Sequence, residues 1–212
     1  MKKLLTVVCY LAFTAIVQGQ TVEDFFNGSG VPVHWLGIDF SHVQLVGEFA
    51  QFGGIDSNDA EDLRREYFPG WNMLILNEPK KYDLKEAFRR SDMIMNVDMI
   101  MKHNANAETK DMKSYNPKTF KNEEIKNFVS LYDLKESKGL GLVFIAEALN
   151  KTTESGSFQV VVFNLESKEI LLAERVTGKP QGFGIRNYWA GAIHKILKEI
   201  DDTHYEFWKR KL

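Results

Sequence analysis

The sequence predicts an α/β fold on the border with α+β: a mixed sheet with helices packed on it. Three observations predict it. Helix-like and strand-like segments interleave through the first half of the chain. Three strand-like runs then follow one another between Leu140 and Val176. An apolar stripe of helical period closes the domain from Ile185 to Ile200. Interleaved elements followed by consecutive strands favour a mixed-sheet sandwich over a doubly wound sheet.

The first residues, "MKKLLTVVCYLAFTAIVQGQ", have the pattern of a secretory signal. Lys2 and Lys3 make a basic start, Leu4 to Val17 an apolar core, and Val17 and Gly19 a small-residue cleavage site. The alternatives are an uncleaved anchor or a lipoprotein built on Cys9, which sits too early in the apolar run. The expected organisation is a signal peptide over 1–19, a flexible leader over 20–32 containing "NGSG", and a single α/β domain over 33–212. Cleavage removes Lys2 and Lys3 from 27 basic residues and none of the 29 acidic ones, which leaves 25 against 29, a net charge of −4. It also removes the only cysteine, and with it any disulfide, thiolate nucleophile or cysteine metal site. Mild acidity with scattered signs argues against nucleic acid as a partner. No apolar run of the mature chain is long enough to span a membrane.

Val33 to Val46 reads as strand, with a bend at "DFS". "GGIDSNDAEDLRREYF" reads as a turn and a short helix capped by Ser57 or Asn58 and stopped at Pro69-Gly70. "WNMLIL" is then a short strand, and "YDLKEAFRR" a helix capped by Asp83. In "MIMNVDMIM" the residues Met93, Met95, Val97, Met99 and Met101 alternate, which predicts a strand with one methionine-rich face. Thioethers suit copper(I), but core filling is the favoured role for them. His103 to Phe120 is polar and longer than an ordinary connection, so it is either mobile or functional. "NEEIKNFVSLYDLKES" is a helix capped by Asn122, with Ile125, Phe128, Val129 and Tyr132 as its stripe. "GLGLVFIAEAL" is a strand. "FQVVVFNL" and "EILLAERV" form a hairpin across "ESKE". The long amphipathic helix from Ile185 follows, and the tail "HYEFWKRKL" either extends it, with Trp208 on a core edge, or docks on a surface.

Two places are candidate ligand sites. The first is Asp39, Ser41 and His42 at the end of the early strand. In one straight strand His34 and His42 would lie roughly 27 Å apart at about 3.4 Å per residue, with Asp39 on the opposite face. They converge only if "DFS" folds the chain back. The favoured reading is structural: Asp39 ends a buried strand and accepts hydrogen bonds from the turn, and Gly37 marks a close approach. The ligand reading rests on the habit of α/β sheets of binding at strand ends. The second place is Gly182, Gly184 and Arg186 in "TGKPQGFGIR", where backbone N–H groups before a helix and a cation would suit an anion, although a two-glycine entry loop is more often just a mobile connection. The Walker pattern is absent, as are Gly-x-Ser-x-Gly and His-Glu-x-x-His. The five histidines are scattered. No catalytic residue, metal site or cofactor is expected, and enzymatic activity is the less favoured reading.

A resemblance rests on "VHWLGIDFS", on "LKEAFRRSDMIMNVDMI", and on the run from "NEEIKNF" through "GLGLVFIAEALNKTTESGSFQVVVFNLESKEILLAERVTG" to the closing helix. In order of elements the chain resembles the periplasmic α/β domain of envelope-assembly proteins, namely the curli-secretion lipoprotein and the lipoprotein activators of penicillin-binding proteins. In texture it is similar to uncharacterised secreted proteins of Bacteroidetes. It departs from the lipoproteins in lacking a lipobox cysteine and in carrying the "HNANAETKDMKSYNPKTF" insertion. The resemblance implies a periplasmic or secreted, non-catalytic binding or assembly module of the cell envelope with another envelope protein as partner. The alternative is a small-molecule or anion-binding protein, or a hydrolase, using Asp39 at a strand end. A deep polar pocket near Asp39 distinguishes the second from the first, for which an exposed apolar patch or sheet edge is expected.

Overall fold

A computed structural model describes residues 20–28, 30–49, 60–134 and 137–211. Its centre is a six-stranded mixed sheet in the order β3-β1-β4-β5-β6. β4 (Leu140–Asn150) is the spine. β1 (Val33–Asp39) runs parallel along its first half and β2 (Gln44–Val46) parallel along its second. The bend expected at "DFS" is the loop between them, where the chain leaves β4 and returns. β3 is only Ile94–Met95, parallel to β1 at one edge. β5 (Ser155–Asn164) and β6 (Ile170–Gly178) form the expected hairpin, antiparallel to β4 and to each other.

Alternation along β4 divides the interior in two. Leu140, Leu142, Phe144 and Ala146 enter a large core under α1 (Val22–Asn27), α3 (Phe68–Asn77), α4 (Leu84–Ala87), α7 (Gly184–Glu199) and α8 (Tyr205–Arg210). Val143 and Ile145 enter a smaller one under Ile100 of α5 (Asp98–Ala105) and Ile125 and Val129 of α6 (Asn122–Ser130). Helices therefore cover both faces. α2 (Ala60–Asp62) runs through a π-helical turn, Leu63–Tyr67, into α3, and a second π turn, Ile200–His204, joins α7 to α8. Trp208 is 1% exposed and covers a core edge as an extension of the closing helix.

Several expected elements differ. "WNMLIL" is helical, and Pro69 does not stop a helix: it sits at the start of α3, directly after the π turn Leu63–Tyr67. Phe68, Trp71, Asn72, Leu74 and Ile75 are all buried, and a helix buried so broadly resembles a strand in composition. "MIMNVDMIM" is strand only at Ile94–Met95, whose side chains are exposed. From Asp98 it is helix, and Val97, Ile100 and Asn104 lie buried at helical spacing. The residues have both periods, and methionine's helix propensity decides. Val22–Asn27, within the expected leader, is a short helix with a Thr21–Asp24 capping box and buried Phe25 and Phe26. Asp83 caps α4 as expected, with its side chain accepting from the Glu86 N–H. α6 begins at Asn122, so its N-cap is Lys121, and the Glu124 carboxylate accepts the Lys121 N–H at 3.0 Å. The expected caps Ser57 and Asn58 and the signal segment lie outside the described residues. No helix among the described residues is long and apolar enough to cross a membrane.

Candidate functional site

The early strand ends where two helices hold it. Asn72 of α3 accepts the Ile38 N–H at 2.7 Å and donates to the Ile38 carbonyl at 2.9 Å. Asn104 of α5 donates to the same carbonyl at 2.8 Å and accepts the Phe40 N–H at 2.8 Å. Both amides are buried, and they satisfy backbone groups at the end of β1, beyond the reach of the two-residue β3. Gly37 makes room for the first of them. It has φ +111°, and a Cβ there would stand 2.5 Å from Asn72 Oδ1.

This clamp places Asp39, 0% exposed, on the side of the smaller core. Its Oδ1 accepts the Ser41 N–H at 2.8 Å, the turn role expected of it. Its Oδ2 accepts the Tyr132 hydroxyl at 2.6 Å and lies 3.9 Å from His103 Nε2. Burial, and then the Asp39 charge, push the Tyr132 phenol well above its ordinary range, so it stays a donor. His42 stacks on Phe128 of α6, ring centres 3.9 Å apart. Its imidazole is held below the ordinary value, first by burial and also by His103, with Asp39 acting in the opposite direction.

A cavity of about 610 Å³ opens beside this group, lined by Ser41, His42, Gln44, His103, Met112 and Phe128 among others. A second, of about 510 Å³, is lined by Asp98, Lys102, His103, Asn106, Asp133 and Leu134 among others. His103, Asn106 and Leu131 belong to both walls, so the two cavities adjoin at the His103 ring and together make up the cleft beside Asp39. Ser41, His42 and His103 line the larger cavity, and Ser41 Oγ, His42 Nε2 and His103 Nε2 are buried and make no hydrogen bond among the described residues.

The long polar segment after His103 forms much of the larger cavity's wall. It is pinned. Lys113 bridges to Leu45 in strand fashion, flanked by Leu45 N–H to the Met112 carbonyl at 2.7 Å and Ser114 N–H to the Leu45 carbonyl at 2.9 Å. The Gln44 amide pairs with the Lys118 backbone in both directions, at 2.7 and 2.8 Å. Glu147, 1% exposed, accepts the Phe120 N–H at 2.9 Å and the Gln159 amide at 2.9 Å, and forms an ion pair with Arg175.

Asp39, Ser41 and His42 are thus brought together, and His34 is not: it lies at the other end of β1, in register with Gly141 and Ile94. Among the described residues no group of three or more His, Cys, Asp or Glu side chains is placed to hold a metal ion. Gly182, Gly184 and Arg186 lie apart from this cleft, before and within the first turn of α7. Arg186 turns to Glu78 at 3.3 Å and to Asn187 Oδ1 at 3.1 Å. Sequence reasoning missed His103, Tyr132, Asn72 and Asn104 as parts of the cleft. The available signal was a polar residue inside an apolar run, as Asn72 is in "WNMLIL". No family model matches the chain, no curated protein matches it, and no solved structure matches it.

Proposed function

We propose that the chain is an exported, non-catalytic binding module that takes a small polar ligand in the cleft at the carboxyl end of β1. The observation that carries this is the convergence of Ser41, His42 and His103 on the wall of one cavity, where Ser41 Oγ, His42 Nε2 and His103 Nε2 make no hydrogen bond among the described residues. Buried polar groups are ordinarily satisfied, so three orphans together favour a ligand that satisfies them. A volume of about 610 Å³ falls within the range of small-molecule sites. The wall carries both signs, Lys113 and Lys118 against Glu108, Asp111 and Glu124, and His42 leans to its neutral form. An uncharged or zwitterionic molecule rich in hydroxyl or amide groups fits that wall best.

Binding is favoured over hydrolysis because a serine nucleophile needs a base within about 3 Å, and the Ser41 hydroxyl is bonded to neither histidine. A second reading, docking of another envelope protein, draws on β3: this edge strand exposes Ile94 at 48% and Met95 at 37%. Native mass spectrometry of the protein purified from its own host separates the two. Ligand binding predicts a retained mass of a few hundred daltons that is lost from His103→Ala and Ser41→Ala. A stoichiometric protein partner with no small adduct would replace the first reading with the second.

A further inference from the structure

The loop after β6 folds back along α7. The Gln181 N–H donates to the Tyr188 carbonyl at 3.1 Å. Gly191 of α7 presents bare backbone to it: a Cβ there would stand 2.1 Å from the Gln181 oxygen. Gly182 has φ +132°, and a Cβ on it would meet the Asn187 backbone at 2.9 Å. Two glycines, one on the helix and one on the loop, therefore seat the loop against the helix.

Seated there, Lys179 shares a wall with His194 and Lys195 of α7 and with Lys81, from the turn before α4. Together with Gly182 and Asn187 these residues line a cavity of about 620 Å³, and no Asp or Glu side chain is part of the wall. Lys195 has a carboxylate partner, Glu199 at 2.9 Å. Lys81 lies over the Tyr82 ring at 5.0 Å. Tyr82 also meets the His194 ring edge to face, with centres 5.9 Å apart. The His194 imidazole is held below the ordinary value first by burial, then by Lys81, Lys198 and Lys195, with no carboxylate opposing them. The cleft beside Asp39 is different in this respect, for there both signs share the wall.

We propose that this cavity is an anion site, binding a phosphate-type oxyanion through Lys81, Lys179 and Lys195, with His194 as a further donor once the anion is present. The site lies along the side of the helix, where Gly182 lines the wall and Arg186, paired with Glu78, does not. The site is independent of the cleft and of its ligand. Lysine ammonium groups suit a doubly charged oxyanion better than a carboxylate, because Lys81 and Lys179 each offer a charge-assisted hydrogen bond, Lys195 adds one by exchanging Glu199 for the anion, and a dianion accepts all of them at once.

The test is NMR titration of the full chain with inorganic phosphate at neutral pH, with ionic strength held constant by chloride, following the ring protons of His194 and His42. Binding predicts a saturable shift at His194, a rise in its apparent pKa, and no movement at His42. Lys179→Gln and Lys195→Gln, both at exposed positions, should each weaken binding about fivefold or more, whereas Lys126→Gln, outside the cavity, should leave it unchanged. A parallel titration with phenyl phosphate assigns the source. Tighter binding than inorganic phosphate marks the charged end of a larger molecule, and equal or weaker binding marks the free anion. A response reproduced by chloride alone, or one that survives both lysine substitutions, overturns the proposal.

Discussion

Tyr132 is the residue on which Asp39 leans. The carboxylate is fully buried, and the phenol is one of its two hydrogen-bond donors, at 2.6 Å. Removing one donor from a buried charged acceptor leaves it undersolvated, so Tyr132→Phe should cost about 1–3 kcal/mol in urea unfolding. A loss below about 0.5 kcal/mol would mean that Oδ2 is satisfied from elsewhere. The variant should also disturb His103, whose ring meets the Tyr132 ring edge to face with centres 5.6 Å apart. Asp39 thus has both roles that its position at a strand end allows: it closes the turn through Ser41, and it organises the cleft through Tyr132 and His103.

Among the elements, α7 tests the packing most directly. Trp189, Ile193, Ile196 and Ile200 are buried, whereas Lys198 is exposed. Trp189→Ala should cost about 3–5 kcal/mol, and Lys198→Ala should change stability by less than about 0.5 kcal/mol. Denaturant midpoints of the two variants check this, and equal, mild effects would show that the helix is not packed on the sheet. This helix was legible in the sequence because one side of it is wet, so its apolar residues recur at a single period. The hairpin was legible from its two apolar runs and charged turn. α3 was not, because burial on most sides erases the period, and α5 was not, because alternating methionines match strand and helix alike. The cleft was half legible. Asp39, Ser41 and His42 are neighbours in the chain, but Asn72 reaches Ile38 across 34 residues, Asn104 across 66, and Tyr132 reaches Asp39 across 93. Such pairings belong to the topology, and no local pattern encodes them.

For the whole molecule, three histidines contribute to the response to acid. Burial is the leading cause that holds His34, His42 and His194 below the ordinary imidazole value, and the three lie in different parts of the fold. Each prefers to be neutral when folded, so the unfolded chain binds more protons once the pH falls below about 6.5. The stability they contribute is present above that value and lost as the pH drops through it. Thermal melts between pH 7.5 and 5 should show a falling midpoint, and His42→Gln should shallow the fall. A midpoint that holds or rises on acidification would contradict the assignment.

The unequal division of the interior has a consequence for kinetics. The cleft lies on the side of the sheet with the thinner cover, where α6 buries little beyond Ile125 and Val129. Amides there should exchange with solvent through local openings that leave β4 and β5 protected. A bound molecule would then exit by brief fraying of that wall, and its residence time would be set by α6 while the rest of the molecule stays folded.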